Sequence, residues 1–275
     1  MSEDSKHRPR KRFGQNFLHD VSVITRLVEA INPQADDNMV EIGPGQAALT
    51  KPLLNRLNKL HAIELDRDLI ALLNAFEYPG LTVHACDALK FDFSSLMHQS
   101  PLRVVGNLPY NISTPLIFHL LSYEERIQDM HFMLQLEVVE RLAAIPGSKT
   151  YGKLSVISQY QCEVDKLFNV PAGAFFPPPK VMSAIVKLTP RVFSVTAVNE
   201  EQFKRVVSVS FSQRRKTLRN NLKQILSKDQ LEHLALKLQA NPLLGIELTH
   251  RPEQLSVTQF VQLANLILEI DNASV

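Results

Sequence analysis

From residue 38 to residue 136, short apolar runs of strand length alternate with runs of helical spacing. NMVEIG (38–43), LHAIELD (60–66), LTVHACD (81–87), RVVGN (103–107) and DMHFMLQL (129–136) read as strands. VSVITRLVEAI (21–31), a stretch from about Ala47 to Leu57, RDLIALLNAF (67–76), Thr114–Leu121 and 137–145 read as helices. Asn32-Pro33 ends the first helix, and Pro52 kinks or weakens the second. Repeats of this kind build parallel β-α-β units with right-handed crossovers, so the fold class is α/β. CEVDKLFNV (162–170) and SAIVKLTP (183–190) are two more strands with only a turn-rich FFPPP between them. An antiparallel hairpin is therefore expected to close the sheet. Residues 199–270 read as helices alone. The expected organisation is an α/β domain over 1–190, opened by a basic arm over 1–12, and a small all-helical domain over 191–275.

The 275 residues suffice for a full core without staples, and 45% hydrophobic with 21% charged residues is ordinary globular composition. Disordered, collagen-like and coiled-coil chains are excluded. Cys86 and Cys162 form neither a metal spacing nor a disulfide framework, so no metal and a reducing compartment are expected. No apolar run approaches the about 18 residues of a membrane span, and MSEDSKHRPRKRFG has no apolar core of a secretory signal. A soluble cytoplasmic protein is expected, and nothing demands more than a monomer.

The net charge of +2 conceals two basic clusters. Lys6, Arg8, Arg10, Lys11 and Arg12 precede Phe13, and seven basic residues with no acid lie between Lys204 and Lys223. Clusters of this kind point to nucleic acid, although a basic run is more often a solvated helical face. The cluster of Arg214, Arg215, Lys216, Arg219 and Lys223 falls at one helix end and the next helix start.

Glu41-Ile42-Gly43-Pro44-Gly45 sits between a strand and a helix. Its glycines permit a tight turn and close ligand approach, and with Ala48 it also fits a dinucleotide fingerprint. Glu64 ends the second strand, where a carboxylate can accept both hydroxyls of a ribose. Asp87 ends the third, where a carboxylate can accept from an adenine amine. Each acid alone could be a solvated strand end; three such features at successive strand ends argue for a nucleotide-type pocket.

The fourth strand ends in Asn107-Leu108-Pro109-Tyr110. The exocyclic amine of adenine is a poor nucleophile because its lone pair is delocalised into the ring. Two acceptors on its N–H groups would push the nitrogen toward tetrahedral geometry. The Asn107 side-chain oxygen and the Leu108 carbonyl can be those acceptors, since Pro109 holds Leu108 extended. Tyr110 offers a ring face for stacking. The competing reading is a proline turn with an asparagine that caps its own backbone.

FGQNFL (13–18), EIGPG (41–45), Glu64, Asp87, NLPYNIST (107–114) and FFPPPKVMSAIVKL (175–188) occur in that order. The set resembles the ribosomal RNA adenine N6,N6-dimethyltransferases over about Arg10 to Leu268. The resemblance implies a seven-stranded, Rossmann-like methyltransferase sheet with a C-terminal helical RNA-binding domain, S-adenosylmethionine as cofactor, and transfer to two adjacent adenosines. Asn16 and Leu18 would close over the cofactor, Gly43 and Gly45 would line its methionine portion, Glu64 would take its ribose, Asp87 its adenine, and Asn107 would border cofactor and target amine. Phe175 would stack on a flipped base opposite Tyr110, with Phe176 as the alternative. Arg10, Lys11 and Arg12 would join the Arg214–Lys223 cluster on RNA. The forms of NLPY and PPPKV favour the branch that acts on 16S rRNA within the small subunit, with a role in its biogenesis. The competing readings are the large-subunit, macrolide-resistance branch, a non-catalytic assembly factor on the same fold, and an NAD-linked oxidoreductase, in whose chemistry NLPY has no role.

Overall fold

The computed structural model describes residues 15–97 and 100–273. The basic arm, with Arg10, Lys11 and Arg12, lies outside them. The chain divides into two compact units. One runs through Val139 and includes Val164–Pro190; the other takes Glu140–Glu163 and the chain from Arg191 onward. The helical unit thus draws in a stretch that the sequence reading left inside the first domain.

In chain order the elements are β1 (Phe17–Leu18), α1 (Val21–Ile31), β2 (Met39–Ile42), α2 (Thr50–Leu54), β3 (Leu60–Glu64), α3 (Arg67–Ala75), β4 (Leu81–Ala85), β5 (Leu102–Asn107), α4 (Ser113–Leu121), β6 (Ile127–Gln135), α5 (Leu136–Leu142), α6 (Lys153–Gln161), β7 (Cys162–Val170), β8 (Phe175–Phe176) and β9 (Ser183–Pro190). The helices α7 (Glu200–Ser210), α8 (Leu218–Leu222), α9 (Lys228–Ala240) and α10 (Val257–Ala273) follow. Short 3-10 turns link several of them.

Seven strands form one sheet in the order β4-β3-β2-β5-β6-β9-β7. The first five run parallel, and β9 lies antiparallel to β6, with Ser183 opposite Gln135 and Leu188 opposite Met130. The chain steps outward from β2 to β3 and β4, then returns to place β5 on the other side of β2. Strand order reverses at β2/β5, and the crevice beyond their carboxyl ends is where open parallel sheets take ligands. Gly106 keeps these two strands close: a Cβ there would stand 2.5 Å from the Ile42 carbonyl oxygen.

One face of the sheet is covered by α1 and α2. Ile24, Leu27, Val28 and Ile31 of α1 pack with Leu49, Leu53, Met39, Val105 and Met133. The spacing that predicts α1 is its buried stripe. Asp20 caps its start by accepting from the Ser22 and Val23 amides, and Asn32 ends it in the left-handed region, φ 47°. The helix expected from Ala47 to Leu57 shrinks to Thr50–Leu54 because Ala47 itself has φ +64° and extends the loop. Pro52 then falls in the first turn, where a missing amide costs nothing.

In the helical unit, α6 carries no readable stripe. Leu154, Ser155, Val156, Ile157, Ser158, Tyr160 and Gln161 are all buried, and a helix buried on every side loses its amphipathic signature. Tyr160 stacks on Phe203 of α7 with ring centroids 4.6 Å apart. Among the described residues, no helix is long and apolar enough to cross a membrane.

Candidate active site

A cavity of about 210 Å³ opens at the carboxyl ends of β2, β3, β4 and β5. Gly43 and Gly45 form its floor at φ +68° and +56°, in the region where a side chain is strained. A Cβ on Gly45 would also press within 3.1 Å of the Phe17 ring, which lines the same cavity. Ile42, Ile63, Leu65, Leu69 and Leu89 give it the apolar walls usual for a small-molecule pocket.

Glu64 stands at the end of β3, and its two oxygens are oriented by backbone donors. Oε1 accepts from Leu65 at 2.8 Å and Asp66 at 2.9 Å, and Oε2 accepts from Gly45 at 3.4 Å. Burial raises its pKa, and the three amide bonds oppose that rise. Asp87 lines the cavity one strand further on, with Oδ1 held by the Leu89 amide at 3.0 Å. Gln15 also lines it and ties β1's approach to α3 by donating to Asp66 at 3.0 Å. Beneath the loop, Glu41 is 2% exposed and accepts from the Thr50 hydroxyl at 2.6 Å. Burial, reinforced by the Glu64 charge, lifts its pKa to about 7. The sequence singled out neither Gln15 nor Glu41 for a role, although both lie inside the quoted motifs.

Asn107 ends β5 on the cavity wall, and its amide nitrogen donates to the Asn16 carbonyl at 2.9 Å. That bond commits the nitrogen and leaves the side-chain oxygen without a donor among the described residues. The Leu108 amide donates to the Met133 carbonyl at 3.2 Å, and its side chain is 1% exposed, so the peptide is fixed. Among the described residues, nothing donates to the Leu108 carbonyl. Pro109 and Tyr110 continue the wall. The Tyr110 hydroxyl pairs with Ser183 Oγ at 2.7 Å. Asn16, Gly43, Gly45, Glu64, Asp87, Asn107, Leu108, Pro109 and Tyr110 thus share one cavity.

Two expected residues do not. In the small ribbon formed by β1 and β8, Phe17 pairs with Phe176 and Leu18 with Phe175. Directly paired side chains share a face, and successive ones alternate. Phe176 therefore lies on the same face of the ribbon as Phe17, which lines the cavity, and is 64% exposed, although Phe176 itself is not part of the cavity lining. Leu18 and Phe175 face the core, where Phe175 is only 2% exposed. The sequence shows the two adjacent rings but not the pairing that separates them. His61, His84 and His119 line none of this: His61 and His84 bond each other at 3.1 Å, and His119 meets the Phe91 carbonyl. Among the described residues, no cluster of His, Cys, Asp and Glu could hold a metal ion.

In the helical unit, Arg215, Lys216, Arg219 and Lys223 are exposed on the α7–α8 turn and α8. No ion pair engages them among the described residues. Arg214 differs, donating to the Lys149 carbonyl at 2.7 Å and the Tyr151 carbonyl at 2.9 Å. Lys204 finds its acid just before the acid-free stretch, pairing with Glu200 at 3.1 Å.

The model of the ribosomal RNA adenine dimethylase family matches residues 6–268. A ribosomal RNA small subunit methyltransferase A of Chromobacterium violaceum is 54% identical over 264 residues, covering 95% of this chain and 96% of that protein. One of Pseudomonas fluorescens is 54% identical over 274 residues, covering 98% and 97%. Among solved structures, a dimethyladenosine transferase from Plasmodium falciparum superposes with a TM-score of 0.74 at 27% identity, covering 94% of this chain and 98% of that one. The 23S rRNA methyltransferase ErmE gives 0.67 at 23% identity, covering 92% and 99%, a likeness of fold. The family match takes in the whole strand-end constellation together with the helices beyond it, and the chain belongs to the ribosomal RNA adenine dimethylase family.

Proposed function

We propose that the chain transfers methyl groups from S-adenosylmethionine to the N6 amines of two adjacent adenosines in the 16S rRNA of the small ribosomal subunit. The product is N6,N6-dimethyladenosine, and the modification belongs to small-subunit biogenesis. The enzyme acts in the cytoplasm, as a monomer. The observation that carries this reading is the hydrogen bond from the Asn107 side-chain nitrogen to the Asn16 carbonyl: it leaves the Asn107 oxygen, and the carbonyl of the next residue, Leu108, without a donor among the described residues, and these are the two acceptors the reading needs.

The residues present fit the cofactor. Glu64 is held by three amides, two on Oε1 and one on Oε2, which leaves Oε2 a lone pair for a ribose hydroxyl, and the two glycines at positive φ remove the side chains that would fill the floor. Asp87 and the apolar walls suit an adenine. Leu18 contributes its backbone, since its side chain belongs to the core. S-adenosylmethionine would supply, when bound, a sulfonium methyl for an amine lone pair to attack, the C–S bond breaking and its electron pair leaving with the sulfur as a neutral thioether.

The chain's own work is positioning and polarisation. The two acceptors bind the N–H groups of the target and localise its lone pair. No side chain needs to take the proton beforehand, because it leaves after the C–N bond forms. Tyr110 takes one face of the extruded base, and Phe176 supplies the second ring. Arg215, Lys216, Arg219 and Lys223, with Arg10, Lys11 and Arg12 of the arm, hold phosphates and fix register. The test is incubation with methyl-labelled S-adenosylmethionine and unmethylated ribosomal subunits. Label in small subunits and not in large ones supports the reading; label confined to large subunits overturns it.

A further inference from the structure

Tyr110 is the ring on which the target base rests in the function proposed above, and its position is held at two points. Its backbone carbonyl accepts from the Ser113 hydroxyl at 3.1 Å, while the preceding proline restricts the turn. Its hydroxyl, on the far tip of the ring, meets Ser183 Oγ at 2.7 Å across 73 residues of sequence. Ser183 itself is buried and held in the sheet. It is 0% exposed, opens β9 opposite Gln135, and follows Met182, whose carbonyl accepts the Leu136 amide at 2.9 Å. β9 is an interior strand of the sheet, between β6 and β7. The hydroxyl that Tyr110 meets is therefore anchored on a buried, doubly flanked strand of the sheet. Burial raises the Tyr110 pKa, so the phenol stays protonated and able to donate.

We infer that Ser183 is a positioning residue for methyl transfer: it fixes the plane of the Tyr110 ring and through it the tilt of the target adenine toward Asn107 and Leu108. The inference rests on the rRNA adenine reading. Its consequence is greatest for the second methyl. An unmethylated amine offers two N–H groups to the two acceptors, so acceptors alone can orient it. After one transfer a single N–H remains, and stacking on Tyr110 must supply the lost restraint. A loose ring therefore stalls the reaction at the monomethyl stage.

The experiment measures the ratio of N6-methyladenosine to N6,N6-dimethyladenosine in small-subunit RNA. Wild type, Ser183→Ala, Tyr110→Phe and the double variant are compared, along with cofactor affinity and melting temperature. Ser183→Ala is expected to slow the second transfer about five- to tenfold, the scale of one neutral hydrogen bond, and to accumulate monomethyl product with cofactor affinity unchanged. Tyr110→Phe gives the same pattern, the double variant is no worse than either single one, and Ser183→Thr, which keeps the hydroxyl, restores dimethyl product. Losses that multiply in the double variant overturn the inference. If Ser183→Ala melts early, Tyr110→Phe removes the same bond without touching the strand, and a wild-type product ratio from it is equally fatal. The wild-type control separates the two claims. No methylation by wild type overturns the rRNA reading and this inference with it; full dimethylation by wild type and Ser183→Ala alike overturns the inference alone.

Discussion

The side-chain amide nitrogen of Asn107 donates to the main-chain carbonyl of Asn16 across 2.9 Å, linking the end of β5 to the segment that enters β1. The bond decides which end of the amide is left for a substrate. Asn107→Ala removes both the link and the acceptor. Turnover is expected to fall about 100- to 1,000-fold, the scale of losing one preorganised polar group, with affinity for small subunits nearly intact. Single-turnover kinetics beside a filter-binding titration checks both halves.

The adjacent rings of β8 separate stability from chemistry. Phe175→Ala empties a core position and is expected to cost about 3–5 kcal/mol in denaturant unfolding. Phe176→Ala leaves the melting curve in place and lowers methyl transfer. A stable, inactive Phe175→Ala with an active Phe176→Ala reverses the assignment.

Glu41 makes stability depend on pH in an unusual direction for a carboxylate. Its pKa rises from 4.5 to about 7 on folding, so between those values the folded chain holds a proton that the unfolded chain has lost. The protonated carboxyl's stabilising share is complete below pH 4.5 and declines as pH rises to 7. Glu41→Gln keeps an acceptor for Thr50 and cannot ionise. It is expected to match wild type near pH 4.5 and exceed it by about 1–3 kcal/mol at pH 8. Melting temperatures across that range check the divergence.

Within the basic cluster, Arg214 and its neighbours are expected to part company. Arg214→Ala loses two carbonyl contacts inside the helical unit and should lower the melting temperature. Arg215→Glu with Lys216→Glu should leave melting and cofactor affinity alone and weaken subunit binding. Each lost phosphate contact should reduce the slope of log affinity against log salt by about 0.7–0.9. An unaltered slope assigns these side chains to solvent.

How much of this was legible in the sequence follows from the range of each interaction. The five parallel strands and the carboxylates at their ends are local patterns, and Glu64, Asp87 and Asn107 meet in one cavity because parallel strands align their carboxyl ends. α6 was illegible because burial on all sides erases its period. The ribbon of β1 and β8 joins two-residue strands far apart in the chain, and only that pairing tells Phe175 from Phe176. Arg214 reads like Arg215 in sequence; the difference is the Lys149–Tyr151 segment that the fold brings to it.

The most direct test of the central claim is nucleoside analysis of small-subunit RNA after incubation with the wild-type chain and S-adenosylmethionine, using subunits from cells that lack the modification. N6,N6-dimethyladenosine at two adjacent positions of the 16S rRNA, absent when Asn107→Ala replaces wild type, is the predicted result. A folded, cofactor-binding wild-type chain that leaves those subunits without dimethyladenosine would contradict it.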